Sequence, residues 1–130
     1  MRVYLASTAD ELKDFLSDLS LDVDEVYAPT PIYSATHPDM DEEEVEYSLS
    51  LLAAEDALEL IDDKSGAPLV LAFEVSTHAL GDFDEVSAVV QVPLVWEMLE
   101  AIFLVGEDAD DLTWFAPQEA QNLIDEWMAL

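Results

Sequence analysis

The run "PLVLAFEV" at positions 68–75 is almost unbroken in apolar residues and has the length of a strand. A strand that is apolar on both faces has to be covered on both, so this run predicts a central strand with other layers above and below it. A chain of 130 residues can supply those layers as one domain spanning 1–130. A domain of that size buries about two thirds of its unfolded surface. The apolar fraction of 52% is enough to form the core this requires.

Around this strand the pattern alternates. "RVYLAS" (2–7) reads as an edge or half-buried strand. Thr8 with Glu11 forms a capping box, and Leu12, Phe15, Leu16 and Leu19 follow at helical spacing. A second, irregular strand is expected around Val26 to Tyr33, because Pro29 and Pro31 cannot donate to a ladder. The longest helix starts at "DMDEEEVEYS": Asp41 is its N-cap, Glu44 its N3 residue, and Met40 and Val45 the staple pair. Its apolar stripe runs from Val45 to Ile61 and is wide, which implies burial against a sheet, until "KSGAP" stops it. "GDFDEV" reads as a turn and "SAVVQV" (87–92) as a strand. "PLVWEMLEAIFLV" divides into a short helical turn from Pro93 and a strand at 101–105. A last helix begins near Pro117, with Trp114 and Phe115 as its anchor and Trp127 in the core. The order β-α-β-α-β-β-α-β-α predicts an α/β or α+β fold, a mixed sheet of four to five strands with three to four helices on it.

Three segments together resemble a known group: "MRVYLAST", "YAPTPIY" running into "DEEEVEYSLSLLAAEDAL", and "WFAPQEAQNLI". The chain is similar over most of its length to an uncharacterised family of short acidic actinobacterial proteins, a domain of unknown function. It departs from that pattern at Ala6, near which relatives commonly carry a proline, and in being more acidic. The resemblance implies a strand after Glu100 and brings no activity, ligand or catalytic residue.

Charge sets the chemistry. Thirty-one acids face three bases, Arg2, Lys13 and Lys64, for a net charge of −28. Such a surface repels phosphate backbones, so direct nucleic-acid binding is excluded, and anionic membranes are disfavoured for the same reason. No stretch reaches the roughly 18 apolar residues of a membrane span, and no signal-peptide pattern follows Met1, so a cytoplasmic protein is expected. There are no cysteines, hence no disulfide and no thiolate metal site. Gly66, Gly81 and Gly106 are too scattered for a phosphate-binding loop, and no serine sits in a nucleophile-elbow motif. His37 and His78 stand in loop-like contexts that suit exposed turn residues.

The cluster at 39–44 starts like a calcium loop but has Glu44 where glycine is needed and Ser50 where the bidentate glutamate belongs. A divalent cation remains conceivable as cofactor on another arrangement. If the first, second and fifth strands ran parallel, Asp10, Asp39, Glu42, Asp108 and Asp110 would gather at one sheet edge and serve a metal-dependent enzyme. The competing explanation is that acids at helix starts favour the positive dipole end. The leading expectation is a non-enzymatic interaction module that binds a basic protein, in one version imitating DNA, through Glu42, Glu43, Glu44, Glu46 and Trp114. The remaining alternative is that acidity serves only solubility or salt adaptation. The sequence leaves oligomeric state open.

Overall fold

The computed structural model describes residues 1–130. In chain order the first half contains β1 (Arg2–Thr8), α1 (Ala9–Asp18), β2 (Ser20–Leu21), β3 (Glu25–Tyr27), α2 (Pro31–Thr36) and α3 (Glu42–Leu60). The second half contains β4 (Pro68–Glu74), β5 (Leu80–Phe83), β6 (Ser87–Val90), β7 (Leu94–Val95), β8 (Leu99–Val105), β9 (Leu112–Phe115) and α4 (Ala120–Met128).

β4 is the doubly covered strand that its apolar run requires. Successive side chains of a strand point to opposite faces. Accordingly Leu69, Leu71 and Phe73 enter one core and Val70 and Ala72 the other. The neighbours keep the same phase: Val3 faces Phe73, Leu71 faces Ile102, and Tyr4, Ala72 and Ala101 form one row on the opposite side. On the first face lie α1, burying Leu12 and Phe15, and α4, burying Ile124 and Trp127. On the second lies α3 with Tyr33 of α2. Helices therefore cover both faces of a single sheet.

The sheet is larger than the pattern suggested. Seven strands stand in the order β5-β6-β3-β1-β4-β8-β9, with β2 and β7 as a separate two-stranded ladder. Every pairing is antiparallel, so the sheet is not mixed in strand direction. β5 lies in the segment read as a turn, and β9 in the stretch read as a helix anchor. β1 is the middle strand rather than an edge, and Ser7 within it is fully buried.

Local signals explain most helix boundaries. The Thr8 side chain accepts from the Glu11 N–H at 3.3 Å and starts α1, while Glu11 turns back to the Ser7 hydroxyl at 3.4 Å. Asp41 caps α3 by accepting from the Glu44 N–H at 2.8 Å, and Met40 and Val45 both enter the α3-side core. The stripe of α3 is narrower than its sequence implies, since Tyr47, Leu60 and Ile61 are exposed. The segment 31–36, whose first three residues were expected to end an irregular strand, is helical. Pro31 has no N–H to lose in a first turn and its φ suits that position, while Thr30 caps the turn by accepting from the Tyr33 N–H at 3.1 Å. The expected helical turn after Pro93 is displaced to a 3₁₀ turn at Trp96–Met98, and the strand at 101–105 is part of β8.

Gly66 closes the loop between α3 and β4 with φ +71°. A Cβ there would come within 2.9 Å of both the Ala9 Cβ and the Trp127 carbonyl, so the position needs glycine on two counts.

Candidate functional site: an acidic aromatic trough on the α3 face

All carboxylates except those of Glu11, Glu46 and Asp56 are exposed. The one ion pair joins the N-terminal ammonium to Glu74 at 2.8 Å, and no lysine or arginine side chain neutralises an acid. The negative charge therefore faces solvent on nearly every element.

One region combines that charge with exposed aromatic surface. Glu42, Glu43 and Glu44 form the first turn of α3, where the helix dipole favours acids. The fold carries Glu43 and Glu46 over the sheet beside Tyr47. With Tyr4, Ser50, Phe103 and Leu112 they line a cleft of about 300 Å³. Trp114 is the cross-strand partner of Phe103, so the two side chains share this face, and the indole is 57% exposed. Of the five residues expected to bind, Glu43 and Glu46 line the cleft and Trp114 stands beside it. Glu42 and Glu44 stay exposed at the helix start. Phe103 and Leu112 were not singled out by sequence, because their nearness depends on the β8–β9 register.

A second cleft, of about 320 Å³, lies between α3 and the β1–β3 pair, lined by Tyr4, Val26, Tyr27, Asp56 and Val86 among others. There the Tyr27 hydroxyl donates to the Asp56 carboxylate. Burial pushes the Tyr27 phenol well above its usual range, and the negative charge of Asp56, Glu55 and Glu59 adds to the rise. Tyr4 is also raised by burial, against the opposing effect of the Arg2 guanidinium. The Tyr33 hydroxyl lies 2.6 Å from Ser48 Oγ, a second tie between α3 and the segment after β3. The Tyr27 hydroxyl fastens α3 to β3, and the Tyr33 hydroxyl fastens α3 to α2.

The carboxylates considered for a metal do not converge. The second strand, β3, runs antiparallel to β1, which removes the geometry that would have gathered three clusters at one edge. β1 and β8 do run the same way, each antiparallel to β4, so Asp10 and the 106–111 hairpin share an edge. They remain separated by the width of β4, about 10 Å across the two spacings. The Asp10 N–H bonds the Ser65 carbonyl beyond the C-terminus of α3, whereas Glu42 opens that helix, about 28 Å long. Asp39 precedes α3, and Asp108 and Asp110 lie in the hairpin, all three exposed. No three histidine, aspartate or glutamate side chains are placed to hold one metal ion.

The histidines serve local turns. His37 stacks on Tyr33 with ring centroids 4.2 Å apart, and its Nδ1 lies 2.9 Å from the Tyr33 carbonyl. Ser76 Oγ lies 3.3 Å from His78 Nδ1, but it also accepts from the His78 N–H and caps the short 3₁₀ turn. No helix is long and apolar enough to cross a membrane.

No curated protein and no solved structure matches the chain. A family model does, over residues 1–111, which takes in β1 to β8 and the hairpin that follows, up to the start of β9. The chain belongs to that family, DUF6912, a family of unknown function.

Proposed function

We propose that the protein is a non-enzymatic cytosolic interaction module whose acidic, aromatic face docks on a basic protein surface. The observation that carries this reading is the convergence of Glu43 and Glu46 with Tyr47, Phe103, Leu112 and the exposed Trp114 on the α3 face. Carboxylates beside open aromatic rings match arginine and lysine twice. The charged head finds the acid or the ring face, and the methylene stem lies on apolar surface. The remaining exposed acids give a long-range field that steers a cationic partner without selecting a docking place. In this reading the module imitates DNA only in the broad sense of presenting anions to a basic surface.

The test compares two charge reversals, Glu43→Lys with Glu46→Lys on the α3 face and Asp125→Lys with Glu126→Lys on α4. Affinity for a Lys- and Arg-rich peptide is measured by calorimetry at low salt. The first pair weakens binding about tenfold, or about 1.4 kcal/mol, and the second much less. Equal losses would show that only total charge matters, which is the outcome of acidity serving solubility or salt adaptation.

A further inference from the structure

The outermost strand beside the trough is an open edge of the seven-stranded sheet. β9 reads Leu112-Thr113-Trp114-Phe115, with no charged residue in a chain of net charge −28. It pairs with β8 alone, through four consecutive register pairs without a bulge. No backbone hydrogen bond runs from β9 to any other element. Natural edge strands are usually blunted by lysine, proline, a bulge or an inward charge. The opposite edge, β5, follows that rule: its register shifts between Leu80 and Phe83, and Asp82 lies within it. β9 carries none of these devices. Its acids stand instead at its ends, Asp110 and Asp111 before it and Glu119 after it, with Glu43 across the trough.

We propose that β9 accepts an extended segment of a basic partner as an eighth strand. The segment would have a short apolar or β-branched centre against Trp114 and lysine or arginine at both ends. This rests on the docking reading above and specifies how the partner is held. Main-chain hydrogen bonds to the free edge supply affinity, and alternate side chains supply specificity. Charge decides the occupant. A second copy would align two β9 edges by bringing two chains of −28 together, and such repulsion acts over about 10 Å at 0.1 M salt. A basic segment meets the same acids as counter-charges.

The test uses the full chain and two synthetic peptides of equal charge, Lys-Lys-Val-Thr-Val-Thr-Lys-Lys and the same sequence N-methylated at its four central residues. The second keeps the side chains but lacks the central N–H groups a ladder needs on either edge. The first peptide binds about tenfold more tightly, a difference of about 1.4 kcal/mol, and slows amide exchange across Leu112–Phe115. Trp114→Ala, an exposed position that leaves the core intact, weakens the first peptide more than the second. Equal affinity without added protection of β9 overturns strand addition and leaves acidic docking standing. Binding of neither peptide at low salt overturns both. A dimer with a protected β9 at 0.1 M salt, in the absence of peptide, overturns the choice of a basic occupant.

Discussion

The two faces of the sheet are built on different plans. The α1/α4 face is packed with large side chains: Phe15, Leu12, Leu69, Leu71, Phe73, Ile102 and Trp127. Phe15 sits with its ring centroid 6.0 Å from Phe73 and 5.0 Å from Trp96. The α3 face holds a larger share of small ones: Ala53, Ala54 and Ala57 of the helix and Ala72 and Ala101 of the sheet share its core with Tyr4, Leu49 and Val70. Small residues let α3 lie close over the strands, Val45 and Leu49 add larger apolar contacts, and Tyr27 to Asp56 and Tyr33 to Ser48 are polar ties. The first face is a filled interior. The second seats a helix low over the sheet and leaves Phe103 of β8 partly open and Trp114 of β9 exposed beside it, which is where the acidic aromatic trough lies.

The two plans should fail under opposite changes. The largest effect is expected for Phe73→Ala, which empties a fully buried ring position and costs about 3–5 kcal/mol, read from urea unfolding. Next comes Ala53→Leu, which overfills the close contact of α3 and costs about 1–3 kcal/mol by the same measurement. The same enlargement at a loose interface would be nearly neutral, so an unchanged midpoint would break the contrast between the faces.

Tyr27→Phe removes a hydrogen bond to a carboxylate and is expected to cost about 1–2 kcal/mol at neutral pH. Its pH dependence sharpens the point. The folded protein holds this phenol protonated above the usual value near 10. The stability that Tyr27 contributes is therefore present below the unfolded value and lost as pH rises through the higher folded one. Unfolding followed from pH 8 to 11 should show a steeper alkaline decline in the parent than in Tyr27→Phe.

The smallest effect is expected for Glu11→Gln on the α1 side. Burial raises the Glu11 carboxyl, and Asp10 and Asp14 add repulsion. A raised carboxyl contributes stability below its unfolded value that is lost as pH rises through the folded one. The neutral glutamine should raise the melting temperature slightly at pH 7, with the gain vanishing in acid, where Glu11 is protonated in both states.

The central layer was legible in the sequence because its signals are local or dense. β4 announced itself by its unbroken apolar run, and α1 and α3 by caps at Thr8 and Asp41 that the structure reproduces. The strand at 101–105 was correctly separated from the turn before it. What failed depended on distant partners or on competing uses of one residue. Pro31 reads equally as a strand breaker and as a helix start, and only the buried Thr30 decides between them. Leu80–Phe83 is rich in turn formers and becomes β5 only because β6 lies alongside it. Antiparallel direction was invisible, since it is set by how connections cross the sheet, and with it went the gathered metal site.

The candidate site was half legible. Exposed acids at a helix start are visible in any chain, and Trp114 stood out at an irregular junction. Their meeting with Tyr47, Phe103 and Leu112 needs the pairing of Phe103 with Trp114 across a hairpin, which no spacing in the sequence announces.

The most direct measurement is amide chemical-shift mapping of a Lys- and Arg-rich peptide titrated into the protein at 0.1 M and at 1 M salt, between which the Debye length falls from about 10 Å to about 3 Å. Docking on the trough predicts shifts concentrated at Glu43 to Tyr47, Phe103 and Leu112 to Phe115 at low salt, and much weaker ones at high salt. Shifts of equal size spread over every acidic segment, α4 and β5 included, would contradict it.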